Sequence, residues 1–545
     1  MNHVPWLTTV LCIPVGTALL LQLLPRRAAA LTRAVTILGT LVTAVVVGGL
    51  LIAFTRHPAQ GGYALPQGGT VPSPLTFQFE EIHSWIPGIG ASWHVGIDGV
   101  SSWLLALDAF LFLVAALWVS TRDTDRMRLY CGLLLLTEAA TMGVLLSVDL
   151  LLFYFFWEGM LIPLYILLGF FGGRDRGRAT LTFIVYTVAG SLLMLLSIIY
   201  IYFDQSVSSN GHNTFDLAAL VVNATPQHDV VSFDFGIHFS LLLTPRQLAF
   251  VGFALAFAIK TPLFPFHSWL PDSYVNAPAA TLVFFAGIVG KLGAFSFVRY
   301  GLTLFPGPVH DFHFVIAGLA VASIIYGALM ALSQWDIKRI VAYSSVSHLG
   351  YIVLGIFVLN DNGLNGAVMQ MVNHGIIIAA LFLIVDVIER RTGTRDLREL
   401  GGLESRMSWF YGFFLVATLA GLSMPLTNGF AGEFVLLLGA AQAHWSLAAL
   451  AFIGTVLAGW YMLRFHQGVM HEPLRDGGRR IRDLTLGEGL ILAPLCALML
   501  FLGVFPKPVG DVSQASAHQY IQVATGVQPV IATAPQAAAP VPEAR

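Results

Sequence analysis

Charged side chains are scarce in this sequence. Only 11% of its 545 residues are Asp, Glu, Lys or Arg, whereas 56% are hydrophobic, and the mean hydropathy is +0.76. Soluble proteins carry about a quarter charged residues, so this composition excludes a soluble globular protein. The scarcity of charge instead predicts a polytopic membrane protein.

Cysteine is rare, and cofactor motifs are lacking. Cys12, Cys131 and Cys496 lie in separate apolar runs, too scattered for a metal motif or a disulfide framework. The sequence has no haem, iron–sulfur or nucleotide-binding signature. We therefore expect no cofactor and no metal in this chain. The net charge of −2 gives no indication of a nucleic-acid partner.

Long apolar runs are what the sequence has in abundance. About 20 apolar residues in a helix cross a hydrocarbon core roughly 30 Å thick. The sequence predicts an all-α polytopic membrane protein with about 14 transmembrane helices. The predicted spans are residues 4–24, 34–54, 101–120, 129–147, 149–171, 179–203, 247–265, 278–302, 312–333, 339–359, 363–388, 408–440, 446–466 and 486–505.

The basic residues indicate an orientation. No Lys or Arg precedes the first apolar run, but Arg26 and Arg27 follow it, so this run is not a cleaved signal. With the N-terminus outside, 21 of the 28 Lys and Arg residues fall in inside loops and five in outside segments. This asymmetry fits the positive-inside rule. An even number of spans then places the C-terminus outside as well.

Two spans contain helix breakers at membrane depth. Pro262 and Pro265 follow Lys260 in AFAIKTPLFPF, and Pro425 precedes Glu433 in GLSMPLTNGFAGEF. Proline removes a backbone donor, and freed backbone is tolerated only inside protein or beside a water-filled cavity. The breaks lie in spans 7 and 12, which are an odd number of spans apart and therefore run in opposite directions. This arrangement predicts two inverted five-helix repeats with a transport site at the breaks.

Ionisable residues inside the spans are the candidate functional groups. Charges kept at this depth usually mark ion or proton pathways, and lysine and histidine suit protons better than metal cations. The alternative is a set of static ion pairs that fasten helices together, although buried pairs stabilise poorly compared with apolar packing. The candidates are Glu138, Glu158, Lys260, Lys291, His348, His374, Asp386 and Glu433.

Some of these residues have a competing structural interpretation. Each histidine is either a hydrogen-bond partner between helices or a proton carrier. Asp386 lies beside Glu389 and Arg390 near an inside end, which favours an interfacial position. Glu138 is either a packing partner for a lysine or a proton carrier. For the remaining candidates we favour a role in a proton pathway; they are Glu158, Lys260, Lys291 and Glu433.

Several motifs carry a family resemblance. FYFFWEGMLIPLYILLGFFGG, KTPLFPFHSWLPD, AGIVGKLGAF, YSSVSHLGYI, MVNHGIIIAALF, NGFAGEF and the loop GIDGVS span nearly the whole chain. They resemble the antiporter-like membrane subunits of respiratory complex I, NADH:quinone oxidoreductase, and most closely their M type. That type corresponds to subunit 4 in mitochondria and to the D-type subunit in the cyanobacterial and chloroplast complex.

The resemblance implies roles for the candidate residues. It makes Glu158 the span-five glutamate that pairs with Lys260, and Lys291 the central lysine. His348 and His374 match the histidines that bridge two half-channels. Glu433 matches the terminal proton carrier, and glutamate there is the M-type residue, whereas the related L and N types carry lysine.

The sequence departs from the family pattern at two places. After HSWLPD, relatives usually continue with histidine and glutamate, whereas this chain has residues 273–276, Ser-Tyr-Val-Asn. Thr182 stands where relatives often place a lysine. Neither departure touches the central row of ionisable residues.

The resemblance also implies a function and a setting. The chain would move protons from the inside to the outside of a bacterial inner membrane, or of a thylakoid or cytoplasmic membrane in a cyanobacterium, driven by quinone reduction in other subunits. Its partners would be the L-, N-, K- and J-type membrane subunits and lipids, with NADH and quinone reached only through other subunits. The alternatives are a subunit of a cation/proton antiporter, a subunit of an ion-pumping membrane-bound hydrogenase, and a structural spacer.

The same pattern divides the chain into five parts. Residues 1–128 hold spans 1–3 and an outer loop, 129–302 the first repeat and 303–468 the second repeat. Residues 469–505 hold an inner loop and span 14, and 506–545 an outer tail. The Ala/Pro-rich end, TAPQAAAPVPEAR, is expected to be disordered.

Overall fold

The computed structural model describes most of the chain, and nearly all of what it describes is helical. The described residues are 4–25, 28–56, 63–64, 70–71, 75–121, 126–204, 213–222, 231–234, 240–473 and 481–526. The Ala/Pro-rich end and the basic residues Arg26 and Arg27 lie outside the described residues.

The α-helices follow one another along the chain and are numbered α1 to α20. They are α1 Trp6–Leu23, α2 Ala29–Arg56, α3 Gly99–Ser120, α4 Met127–Leu146, α5 Leu150–Gly159, α6 Leu161–Phe171, α7 Arg176–Asp204, α8 Leu217–Val222, α9 Pro245–Lys260, α10 Trp269–Asn276, α11 Ala279–Phe284, α12 Gly290–Ser296, α13 Leu302–Leu304, α14 Pro306–Ser333, α15 Ile337–Phe357, α16 Asp361–Thr392, α17 Ser408–Gly421, α18 Asn428–Met470, α19 Leu486–Val504 and α20 Lys507–Thr525.

The helices account for the fourteen predicted spans. Among the described residues, twelve helical segments are long and apolar enough to cross a membrane. Span 7 is a thirteenth, which is not among the twelve because its first helix, α9, has only 16 residues before the chain breaks. The 43-residue α18 adds another, because non-helical dihedral angles at His444 divide it between spans 12 and 13. The predicted helical fold and its two broken helices are confirmed; the domain boundaries stay a prediction.

The core of the bundle lies around spans 8, 10 and 11. The most apolar stretch of span 8, Ala279–Leu304, is buried along its whole length, and those of α15 and α16 almost completely. Spans 3 and 4 pack against this core, whereas only about a third of the corresponding stretches of α1, α2 and α7 are buried. The ionisable residues of the core are therefore shielded by other helices of the same chain.

One face of the bundle carries the strands, and we call it the hairpin face. Strands β3 Gln78–Ile86 and β4 Ala91–Ile97 form an antiparallel hairpin there. The loop between α2 and α3 also contains a short antiparallel pair, β1 Tyr63–Ala64 with β2 Thr70–Val71. The loop between α7 and α9 contains another, β5 Val231–Asp234 with β6 Ser240–Leu243. The opposite ends of the spans carry most of the described arginines, and we call that side the arginine-rich face.

The amphipathic helix α20 covers the hairpin face, and the sequence analysis did not predict it. Its buried side includes Val509, Ser513, Ala517 and Tyr520. Ser516 accepts a hydrogen bond from the backbone N–H of Gly99 at 2.8 Å, which joins α20 to the start of α3. The helix thereby fixes the ends of spans 3 and 11 relative to each other.

A buried ion pair lies beneath α20. Asp98 caps the N-terminus of α3 and binds the guanidinium of Arg299 at 2.9 Å, while Tyr520 donates a hydrogen bond to the same carboxylate. Arg299 is fully buried, and it also donates to the backbone carbonyls of Leu145 and Ser147. The residues of this cluster come from α3, the end of α4, span 8 and α20, so their contacts fasten these four elements together.

A second polar cluster holds the hairpin to the following loop. The buried His94 contacts Asp216 through Nδ1 at 2.6 Å and Glu80 through Nε2 at 3.4 Å. Burial lowers the pKa of His94, but hydrogen bonds and charges of Asp216 and Glu80 outweigh this and raise it from 6.5 to about 9. His94 is therefore protonated at neutral pH and forms a true ion pair.

The His94 cluster predicts a pH-dependent stability of the hairpin. A raised pKa in the folded state gives a stabilisation that is complete below the unfolded value of 6.5 and is lost as the pH rises through about 9. Its size is on the order of 3 kcal/mol. Hydrogen–deuterium exchange of β4 in the assembled complex should show protection falling across this pH range.

His83 provides the matched control, because it lies on the same hairpin and is exposed. His94→Gln should remove the pH dependence, whereas His83→Gln should leave it in place. Equal protection of β4 at pH values on both sides of this range in the unaltered chain would contradict the assignment.

Candidate functional site

Lys260 lies at the last position of a helix that ends inside the membrane. Its helix, α9, begins with Pro245 behind a Thr244 capping box and ends at Lys260, before the Pro262 break. The C-terminal end of a helix carries partial negative charge, which stabilises a cation in the last turn. The Lys260 ammonium is buried and has no hydrogen-bond partner.

The broken backbone of span 7 is satisfied inside the protein. The N–H of Phe264 donates to the hydroxyl of Ser323 at 2.6 Å, and the indole of Trp269 donates to the carbonyl of Ile259 at 2.9 Å. Span 8 lies directly against this break, because a Cβ on Gly293 would stand 2.2 Å from the hydroxyl oxygen of Thr261. The contact requires glycine, and it brings the Lys291 helix close to Lys260.

Glu158 is the chain neighbour of Trp157, the residue against which Lys260 packs. The Lys260 ammonium is 5.1 Å from the centre of the Trp157 ring, a cation–π geometry, and Trp157 itself donates to Ser191 at 3.1 Å. Glu158 is half-buried near the end of α5, and its Oε1 has no hydrogen-bond partner among the described residues. The predicted pair is therefore coupled electrostatically but is not hydrogen-bonded directly.

Glu158 also faces a groove on the outside of the bundle. The groove has a volume of about 1100 Å³ and is lined by apolar residues of α5, α6 and α7, including Tyr154, Phe155 and Ile162. A carboxylate on this side is reachable from a neighbouring molecule as well as from Lys260.

Lys291 is bound by irregular backbone rather than by an anion. Residues Phe285–Val289 form a π-helical turn just before it, and a second π-turn follows at Phe297–Gly301. The Lys291 ammonium donates to the carbonyl of Ala286 at 2.5 Å. A π-turn displaces a carbonyl from the regular ladder, so the ammonium obtains a neutral partner and stays free to lose its proton.

His374 lies between Lys291 and His348. It is within electrostatic range of both, and its ring centre is 5.3 Å from that of His348. Neither ring nitrogen of His374 has a hydrogen-bond partner. With both nitrogens unpartnered, the ring is able to accept a proton on one side and to give one up on the other.

Glu433 closes this row of residues. His348 Nδ1 is 2.9 Å from Glu433 Oε1, and Gln370 donates to the same oxygen at 3.2 Å. Glu433 lies in the second turn of α18, which begins after the break in span 12. A Cβ on Gly432 would lie 2.5 Å from Oε1, the side-chain amide oxygen of Gln370. Glycine at this position therefore allows span 12 to approach span 11 closely.

The candidate residues thus fall into three groups. Lys291, His374, His348 and Glu433 follow one another across spans 8, 11, 10 and 12, with His348 in direct contact with Glu433 and His374 within electrostatic range of Lys291. Lys260 and Glu158 lie next to the start of this row. Glu138 is apart from both groups, and it lies next to another carboxyl rather than next to a lysine.

Asp386 has the interfacial position that the sequence favoured. It lies near the arginine-rich end of α16, 3.3 Å from Arg390, and accepts a hydrogen bond from the Trp118 indole at 3.2 Å.

Sequence reasoning missed several polar residues of the core. Asp108 is fully buried in α3, and a carboxylate in the middle of an apolar run is itself a signal. Asn373 donates to the carbonyl of Asn428 at 2.7 Å across the span 12 break, and Gln370 binds Glu433. These amides gave no signal in the sequence, because uncharged side chains in a span are common and only the fold shows what they contact.

Among the described residues, no group of three or more His, Cys, Asp or Glu side chains is placed to hold a metal ion. The groups that come together are instead proton donors and acceptors of different types.

Similarity to known proteins agrees with the motifs. Residues 147–458 match the family described as NADH:quinone oxidoreductase/Mrp antiporter, TM. NADH-quinone oxidoreductase subunit M of Mycobacterium tuberculosis is 36% identical, over 99% of this chain and 98% of that protein. The protein of the same name from Rickettsia bellii is 38% identical over 82% of this chain and 86% of its own length.

Solved structures share the fold. A chain of respiratory complex I from Thermus thermophilus with bound NADH superposes with a TM-score of 0.78 at 30% identity, over 94% of this chain and 99% of that one. A chain of the Mrp complex from Dietzia sp. gives the same TM-score at 22% identity, covering 96% and 100%, which shows likeness of fold alone. This chain therefore belongs to the NADH:quinone oxidoreductase/Mrp antiporter family of membrane subunits.

Proposed function

We propose that this chain is a proton-translocating membrane-arm subunit of an NADH:quinone oxidoreductase of the complex I type. The observation that carries the proposal is the succession of buried ionisable groups from Lys291 through His374 and His348 to Glu433. The subunit-M relatives, which match this chain over nearly its full length, supply the setting.

Protons would enter from the arginine-rich face at the break of span 7. The helix ends at Lys260, and His267 and Ser268 lie within the same interruption. Burial penalises the charged ammonium, whereas the C-terminal field of α9 and Glu158 favour it. Movement of Glu158 toward or away from Lys260 would therefore decide whether the lysine keeps its proton.

Transfer would then run sideways through the bundle. Lys291 passes a proton to His374, and His374 passes it to His348. The 5.3 Å between the ring centres is bridged by one water or by a ring rotation. Glu433 accepts the proton through its contact with His348 Nδ1 and releases it toward the hairpin face.

The membrane orientation follows from the basic residues. Under the positive-inside rule the arginine-rich face is the cytoplasmic side of a bacterial inner membrane, which leaves both termini outside. Quinone reduction in other subunits would drive the cycle, and this chain would carry out no redox step itself. Its neighbours would be L-, N-, K- and J-type subunits, and the Glu158 groove suits contact with one of them.

Removal of a single carrier should strongly lower the rate of proton translocation by the complex. Glu158→Gln, Lys260→Ala and Glu433→Ala should each lower the rate of NADH-driven proton translocation in inverted vesicles at least about tenfold, because general acid–base groups contribute factors of about 10² or more. Assembly of the complex, followed by native gel electrophoresis, should persist.

Asp361→Asn is the matched control, because Asp361 is a half-buried carboxylate at the start of α16 that contacts His518 of α20. It should leave translocation unchanged. Full activity in all three carrier variants would contradict the proposal.

The glycine contact between spans 7 and 8 should also matter. Gly293→Ala places a methyl group 2.2 Å from Thr261 Oγ1 and 2.6 Å from the Phe257 carbonyl oxygen, so the two spans must separate. Such overpacking costs about 1–3 kcal/mol. We expect a lower thermal stability of the complex and a severalfold lower translocation rate.

Gly318→Ala is the control for a helical glycine, because no heavy atom lies within 4 Å of the position that its new methyl group would take. It should have neither effect. Equal behaviour of the two glycine variants would show that the close approach of spans 7 and 8 is unimportant.

A further inference from the structure

Two carboxyl groups lie buried side by side in spans 3 and 4. Asp108 of α3 and Glu138 of α4 are both 0% exposed. Within the part of the chain that the structure describes, none of their four carboxyl oxygens has a hydrogen-bond partner. The hydroxyl of Thr141 lies near Asp108, but it donates to the carbonyls of Thr137 and Glu138 at 3.0 Å.

The two carboxyls interact with each other electrostatically. Two carboxylates that share a site of low polarity cannot both be ionised, and one of them keeps a proton. Such a proton has several acceptor oxygens within the pair and no competing donor there. The arrangement therefore differs from the Asp98–Arg299 pair, in which a cation compensates the carboxylate permanently.

The pair lies in the same layer of the membrane on both helices. Asp108 is nine residues from the start of α3 at the hairpin face, and Glu138 is eight residues from the end of α4 at that face. At about 1.5 Å per residue both are roughly 12–14 Å below the helix ends. They are thus far from water on either side.

Only one layer of side chains separates α3 from the proposed proton pathway. A Cβ on Gly375, the neighbour of His374, would touch Leu107, and a Cβ on Gly287 would touch Leu111. Gly287 follows Ala286, the residue whose carbonyl binds Lys291. The residues on both sides of Asp108 therefore contact the two backbone segments that carry the central lysine and histidine.

We propose that Asp108 and Glu138 bind one exchangeable proton between them and form a storage site beside the Lys291–His374 row. In one state the pair holds a single proton and a negative charge, which a protonated Lys291 compensates across the intervening layer. When Lys291 is neutral, the pair takes up a second proton and both acids are neutral. Only O–H bonds form and break, and the proton comes from and returns to the pathway.

Other ionisable groups around α3 are farther along its length. Near the hairpin face they are Asp98, Arg299 and Tyr520, which compensate one another at the start of α3. Near the arginine-rich face they are Arg33 on α2, Tyr130 and Cys131 on α4, and Asp386 on α16. Lys291 and His374 are the ionisable residues carried by the two backbone segments that contact Leu107 and Leu111.

Infrared spectroscopy of the purified complex in lipid tests the binding of the proton directly. The unaltered complex should show a protonated-carboxyl band that shifts in D2O and changes in amplitude with pH. Asp108→Asn with Glu138→Gln should remove that band, and each single variant should shift it and abolish its pH response. Asp361→Asn should leave it unchanged.

A band that survives the double replacement, or that responds neither to D2O nor to pH in the unaltered complex, would overturn the proposal. If the double variant fails to assemble, Glu138→Asp, which keeps both acids, should shift the band, and an unshifted band would count against the pair.

The storage role rests on the proposed function, whereas proton binding does not. The double variant should lower the initial rate of proton translocation at least threefold in the assembled complex, and an unchanged rate would overturn storage. If the carrier variants at Glu158, Lys260 and Glu433 leave translocation intact while the band behaves as expected, the proposed function fails and the proton-binding pair stands.

Discussion

The cost of keeping a charge inside the membrane governs the structure of this chain. A charged group at that depth costs several kcal/mol unless something stabilises it, and here the stabilising partners along the pathway are mostly backbone groups. Lys260 lies at the negative end of α9, and Lys291 donates to a carbonyl next to a π-turn. A neutral carbonyl of this kind stabilises the ammonium but still allows it to lose its proton. A direct contact with a carboxylate would instead hold the proton on the lysine.

The hairpin face solves the same problem differently. Asp98 binds Arg299 directly, and the protonated His94 binds Asp216. Pairs of opposite charge in direct hydrogen-bond contact are static, and removing one partner leaves a costly buried charge. The hairpin face is therefore fastened by direct ion pairs and by α20, whereas the two buried lysines, Lys260 and Lys291, form no direct ion pair with a carboxylate among the described residues. This contrast distinguishes the structural charges from those of the proposed pathway.

Much of the fold was predictable, because its strongest determinants are local in sequence. Apolar runs of sufficient length gave the spans, and prolines near Lys260 and Glu433 gave the two breaks. The helix α20 was missed because its few apolar residues show their common face only once spans 3 and 11 are placed beneath it. Asp108 was overlooked within a run that was judged by its overall hydrophobicity.

The site was predictable as a set of residues but not as an arrangement. Charge at membrane depth identified Lys291, His374, His348 and Glu433, and the fold brings them into one row. The sequence contained no sign that Lys260 packs against the Trp157 ring, or that Ala286 supplies the carbonyl for Lys291. Those details depend on long-range packing, such as the contact of Gly293 with Thr261, which no local pattern encodes.

The central claim is that the buried ionisable groups form one connected route for protons. The most direct measurement is a cryo-electron microscopy map of the assembled complex at a resolution that shows ordered water. The account predicts water molecules that join Lys260 to Lys291 and His374 to His348, with Glu433 opening toward the hairpin face. A dry apolar gap between Lys260 and Lys291 in every observed state of the complex would contradict it.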